Sequence, residues 1–134
     1  MYIVSKKTRD DIVEWFKNKC DNSKLSKKTI GIMMRSFHMN CPIGFFLLIL
    51  FAPKEICWIV IFLLICVLLM FFVFNGCIMS MIEHKICDDD FTIADPFLEL
   101  LDLEKNTKNR YKISLFVGLS YYIIVGTVYY VRFS

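Results

Sequence analysis

Residues 56–82, ICWIVIFLLICVLLMFFVFNGCIMSMI, contain no Asp, Glu, Lys, Arg or His. As a helix, a run of that length reaches about 40 Å, against a hydrocarbon core of roughly 30 Å in a bilayer. A chain of 134 residues has too small a core to bury such a helix on every side. A soluble globular fold is therefore excluded. Alanine is nearly absent (Ala52 and Ala94 only), while isoleucine and lysine are abundant. That bias follows AT-rich codons and says nothing about function. No signal peptide is visible, because the first 29 residues are charged and no apolar stretch with a small-residue cleavage site follows them. The first hydrophobic segment is thus expected to stay in place as an anchor.

Other absences narrow the chemistry. The chain has no Gly-rich phosphate loop, no H-E-x-x-H and no nucleophile elbow, the motifs of P-loop NTPases, zinc metalloproteases and α/β-hydrolases. Gly126-Thr127-Val128-Tyr129-Tyr130 lacks the second glycine of a potassium filter and falls at a helix end, so it is not one. No internal repeat or low-complexity tract is present.

What remains is 57% hydrophobic, with 13 Phe and 6 Tyr, which suits one all-α membrane domain. Six cysteines (Cys20, Cys41, Cys57, Cys66, Cys77 and Cys87) form an even set. Cys57 and Cys66 lie in the apolar run and the others near its expected cytoplasmic end, where thiols stay reduced. Free buried thiols are the better reading than disulfides. Cys20 and Cys87 lie where palmitate could be attached.

Segment 1–35 reads as basic and cytoplasmic. Thr8-Arg9-Asp10-Asp11 has the form of a capping box, and Ile12, Val13, Trp15, Phe16 and Cys20 follow at helical spacing. This predicts an amphipathic helix, lying on the membrane surface or packed on protein. Residues 36–134 read as a three-span domain, with spans at about 36–52, 56–80 and 113–131 and a cytoplasmic connector at 83–112. Pro42 starts or kinks a helix, and Pro53-Lys54-Glu55 makes a tight turn. In the connector, Asp95-Pro96 marks a helix start, while Asn106 and Asn109 read as helix breakers. Ser114, Gly118 and Gly126 share a face of the last span, which is expected to pack against the other spans. Fourteen of the 16 Lys and Arg fall in 1–35 and 83–112, leaving Lys54 and Arg132 opposite. The positive-inside rule then gives a cytoplasmic N-terminus and an external C-terminus, in a membrane the sequence does not identify. The expected partners are the lipid bilayer, anionic headgroups or a protein on the basic face, and further copies of the chain. No nucleic acid is expected.

Polar residues at membrane depth gather at one level. His38, Asn40 and Cys41 open the first span, and Asn75, Cys77, Ser80, Glu83 and His84 close the second. Antiparallel spans bring them together, with the second set mostly on one helical face. The cluster reads as an interhelical hydrogen-bond network, with no cofactor. The alternative is a zinc or other transition-metal site, since His38-x-x-Cys41 and His84-x-x-Cys87 each place an imidazole and a thiol one turn apart. Asp88-Asp89-Asp90 with Asp95 reads as an acidic turn, alternatively as a cation site.

The block Asn75-Gly76-Cys77-Ile78-Met79-Ser80-Met81-Ile82-Glu83, together with His38, resembles small three-span membrane proteins of unknown function (DUF2784-like) and similar membrane proteins of large DNA viruses. The resemblance spans about 36–132 and rests on Cys77, Ser80, Glu83 and His38. It departs at Ile78, where a proline is common, and in the added N-terminal segment. It implies a small integral membrane protein with a structural or assembly role, in the viral branch within a viral or virus-modified membrane. A small membrane-embedded metal-binding or redox enzyme using the His/Cys/Glu cluster is the second reading. An oligomeric pore is the third, and the apolar middle of the long run argues against it.

Overall fold

The charge-free run does not form one helix. In a computed structural model of the chain, which describes residues 3–87 and 91–134, it divides at Asn75-Gly76. Six helices follow in order: α1 (Lys6–Asp21), α2 (Lys27–Phe51), α3 (Lys54–Val73), α4 (Ile78–Cys87), α5 (Asp95–Leu100) and α6 (Thr107–Phe133). No strand occurs among the described residues. At the end of α3 the Gly76 N–H donates to the Phe71 carbonyl at 2.9 Å, and the Asn75 N–H to Phe72 at 3.3 Å. Asn75 has φ 53° and Gly76 φ 146°. This closure satisfies the last carbonyls of α3 and turns the chain out of the helix, using the two residue types that tolerate positive φ. Where a span is expected at 56–80, the long apolar helix runs Lys54–Val73. Its 20 residues rise about 30 Å, one hydrocarbon thickness.

The other boundaries move for similar local reasons. Ser5, not Thr8, caps α1, accepting from the Thr8 N–H at 3.2 Å. Ser26 caps α2 by the same device at Thr29. Helix α2 therefore begins nine residues before the expected span at 36 and carries the chain across the expected boundary at 35. Pro42 neither starts nor ends it. Asn106 caps α6 through the Asn109 N–H at 2.8 Å, so these two asparagines begin a helix rather than break one. Lys54 and Glu55 belong to the first turn of α3, with Pro53 before it. Asp95 opens α5, its carboxylate accepting from the Thr92 N–H and hydroxyl at 3.0 and 2.9 Å. The Asp88–Asp90 run lies outside the described residues.

Helices α2, α3 and α6 are long and apolar enough to cross a membrane, with mean hydropathy 1.3, 3.3 and 1.6 in their best windows. Their outward faces are apolar: Phe62, Phe116 and Ile123 are each more than 60% exposed. Where they pack, Ile49, Ala52, Cys57, Val60, Leu64 and Val125 form a core at the α2–α3 turn. Cys57 donates to the Ala52 carbonyl at 3.5 Å and Arg132 to Ile49 at 2.7 Å. These bonds meet carbonyls that the end of α2 leaves without intrahelical partners. Tyr122 reaches the Leu64 carbonyl at 2.5 Å, and Tyr121 that of Pro42 at 2.7 Å.

A second layer caps the opposite end. Val13 of α1 packs with Ile82 and Ile86 of α4, and Ile30 and Met34 of α2 close the cluster. Beside it, α5 lies on α6 through Ala94, Leu98 and Ile113. Among the described residues, the expected small-residue face of α6 is not closely packed at its two glycines. A Cβ added at Gly118 or Gly126 would meet nothing within 4 Å, because α6 packs through its tyrosines, Ile113 and Val125 instead. The close approach expected there occurs at Gly31, where an added Cβ would stand 2.3 Å from the Cys87 sulfur.

Candidate functional site

Helix α2, at 25 residues, is longer than α3, and its N-terminal turns carry the surface on which α4 packs. Along that surface run Gly31, Arg35 and His38, at intervals of four and three, and hence on one face. From α4 and the turn before it come Cys77 and Glu83. The Arg35 Nε donates to Glu83 Oε1 at 2.8 Å, and Glu83 is only 2% exposed. The second carboxylate oxygen lies 3.5 Å from His38 Nδ1. On the far side of the ring, His38 Nε2 lies 3.5 Å from Cys77 Sγ. Arg35 also donates to the Phe91 carbonyl at 3.2 Å, its guanidinium 5.0 Å from the Phe91 ring.

The His38 ring thus stands between two groups: Nδ1 faces the carboxylate side chain of Glu83, which Arg35 holds from its other oxygen, and Nε2 faces the Cys77 sulfur. Cys77 also stands where an N-cap stands: its carbonyl accepts from the Met81 N–H at 3.2 Å. Ser80, in the first turn of α4, acts on the thiol in the same sense as His38, lowering it. Burial pushes the Cys77 thiol up, but the His38 imidazole and Ser80 outweigh it, and the thiol titrates below its ordinary range. A helix N-terminus acts in the same direction.

The expected cluster is thus divided. His38, Cys77, Ser80 and Glu83 come together. Asn40 is exposed and bonds back to the Ser36 carbonyl of its own helix at 2.8 Å. Cys41 lies one turn deeper, in an apolar groove with Gly44, Phe45, Leu47, Leu48 and Phe51. Asn75 serves the turn, and Cys87 packs on Gly31. His84 shares the layer, its buried Nδ1 without a hydrogen-bond partner among the described residues. The expected four-ligand set His38, Cys41, His84 and Cys87 therefore has its members at different contacts. No group of three or more His, Cys, Asp or Glu placed to hold a metal occurs among the described residues. Glu83 and Cys77 touch opposite ring nitrogens of His38, so the three do not converge on one point.

Arg35 is the residue that sequence reasoning missed. It reads as an interruption of the apolar stretch, yet it anchors Glu83 across 48 residues of sequence. The signal was a charge one turn before His38, facing the level at which Glu83 leaves the long run. A second ion pair was equally hidden. Arg110 clasps Asp95 through both carboxylate oxygens, at 2.8 and 3.0 Å, holding α5 to the start of α6. Burial raises the Asp95 carboxyl, but Arg110 and Thr92 outweigh it and hold it below the usual carboxylate range. Compared with known proteins, the chain matches no family model, no curated protein and no solved structure.

Proposed function

We propose that the chain is a small multi-pass integral membrane protein, crossing the bilayer with α2, α3 and α6. Its α1–α4 layer lies at the cytoplasmic headgroups, and its role is structural, as a component of a membrane assembly. One observation carries this reading. The three long helices turn apolar side chains outward, while the layer at one end is basic and amphipathic. Exposed apolar area of this kind suits a hydrocarbon solvent and not water. In that layer Trp15 and Phe16 are exposed beside Lys19, which stacks over the Trp15 ring at 5.6 Å, the composition of an interfacial helix. The lysine and arginine count supports a cytoplasmic N-terminus and an external C-terminus. Anionic headgroups or a protein partner then meet the basic face. The resemblance carried by Cys77, Ser80, Glu83 and His38 points to the same class of protein.

Alkaline carbonate extraction and protease protection of terminally tagged protein test this together. The expected result is a pelleted chain with a protected N-terminal tag and an accessible C-terminal one. Release by carbonate, or two tags on the same side, would refute three spans. Co-purification in mild detergent then tests assembly, with a stoichiometric partner expected. A second reading, an enzyme at the inner boundary, is favoured by the contact of Cys77 with His38.

A further inference from the structure

We infer that Cys77 is a site of covalent S-acylation, its thiol activated by His38 and its acyl chain drawn from a long-chain acyl thioester at the inner face of the membrane. The inference rests on the integral-membrane reading above and adds a reaction to it. Three side chains from two elements stand in the order nucleophile, base and orienting carboxylate: Cys77 Sγ, His38 Nε2 and Nδ1, and Glu83 Oε2. Each link is 3.5 Å, the looser spacing that such groups show before substrate is bound. Arg35 fixes the carboxylate from its other oxygen. An ordinary packing network does not need this order, in which every group presents the atom that a proton transfer requires.

The choice of thioester follows from where the thiol sits. Cys77 is partly exposed just beyond the end of α3, at the expected headgroup level. The apolar groove on α2 starts at Cys41, one turn from His38, and runs past Phe45 to Phe51 toward the bilayer interior. A reagent with a reactive carbonyl at the headgroups and a long alkyl tail fits both features. The basic residues concentrated at this end favour an anionic carrier thiol. A disulfide would need a second thiol in bonding distance, and all six cysteines are free.

The step balances without a redox partner. His38 Nε2 takes the Cys77 thiol proton, and the sulfur attacks the thioester carbonyl to form a tetrahedral intermediate. Helix α4 begins directly after Cys77, and the N–H groups that its first turn leaves without intrahelical partners serve the oxyanion. Collapse breaks the carbonyl–sulfur bond to the carrier. The departing thiolate receives the proton from His38, giving acyl-Cys77 and free carrier thiol.

The test uses full-length protein in nanodiscs with an alkyne-tagged palmitoyl thioester. Label is read by gel fluorescence, hydroxylamine release and peptide mass spectrometry. One hydroxylamine-sensitive acyl group on Cys77 is expected. Cys77→Ser should abolish it and Cys66→Ser, on α3 away from the groove, should leave it unchanged. His38→Gln should slow it by about a hundredfold or more, the low end of general-base contributions. A second readout guards against a His38→Gln variant that merely repacks. Alkylation of Cys77 by a small soluble electrophile should begin at lower pH in the wild type than in the variant, at equal helix content. Label spread evenly over the six cysteines, or equal rates and pH profiles for wild type and His38→Gln, would overturn the inference. A chain that stays membrane-embedded but unlabelled would sink the acylation alone, leaving the structural reading intact.

Discussion

Replacing Glu83 with Gln should detach the inner layer without unfolding the bundle. Gln keeps the size and one acceptor but removes the charge that Arg35 and His38 meet. Breaking one side of a buried ion pair costs about 3–5 kcal/mol, because the surviving charge is left uncompensated. Here the Arg35 side chain is 25% exposed, against 3% for Glu83. Arg35 also keeps its bond to the Phe91 carbonyl, so part of its charge remains solvated or paired. A cost of about 2–3 kcal/mol is then reasonable, discounting for exposure. That corresponds to a rise of about 30- to 150-fold in the population of the opened layer. Hydrogen exchange of the purified protein in nanodiscs measures it directly. Amides of α4 should exchange faster by that factor, and those of α1 should follow, since α1 is held by Val13 against Ile82 and Ile86. The exposed Lys85–Glu14 pair adds little. Amides in the middle of α3 and α6 should not change. Unaltered exchange in α4 would mean that the Arg35–Glu83 pair does not hold the layer. Equal acceleration in all helices would mean that layer and bundle open as one unit.

Gly31→Ala should disrupt the α2–α4 contact by about 1–3 kcal/mol, the usual cost of overpacking, because its methyl would meet the Cys87 sulfur. Cys87→Ala in the same background should restore much of the loss, while Gly126→Ala should change thermal stability in detergent by no more than about 0.5 kcal/mol. For Asp95, whose carboxyl is held below its ordinary 3.8, the folded state binds its proton less readily than the unfolded state. The stabilisation is therefore complete above that ordinary value and is lost as pH falls through the lower folded one. Exchange in α5 should accelerate as pH falls below the ordinary 3.8 of Asp95, and Asp95→Asn should show the faster exchange already at neutral pH, with no further acid response.

The three long helices were legible in the sequence because long runs with few charges signal helices of membrane-crossing length whatever their local propensities. It also brought His38, Cys77 and Glu83 to one level, since two antiparallel helices joined by a tight turn must align their far ends. The division of the run was less visible, although Asn75-Gly76 is the pair that closes a helix by positive φ. Its apolar flanks, Phe74 and Ile78, hid the break from a reading based on charge. The partners of individual side chains were not legible, because helical phase decides them. Cys41, one turn beyond His38, rotates into the apolar groove. Cys87, one turn beyond Glu83, meets Gly31 instead of His84 or His38. Arg35 finds Glu83 only because α2 begins at Lys27, and the Ser26 cap that sets this start lies outside the hydrophobic pattern.

The break after Val73 has a chemical consequence as well as a geometric one. Within a continuous helix from 56 to 82, Cys77 would occupy an interior position, and the N–H groups near it would already serve carbonyls four residues back. Its sulfur would then have no backbone donor. The Phe74–Gly76 turn ends one helix and begins another, and the first turn of α4 leaves free N–H groups beside Cys77. Ser80, in that turn, is among the groups that lower the thiol. At the same place, α2 continues past the end of α3 and offers His38 from the side, backed by Glu83 and Arg35. The unpaired N–H groups next to Cys77 in the chain thus come from interrupting the apolar run, and the base comes from the excess length of its neighbour. A straight hairpin of two equal spans would have supplied neither.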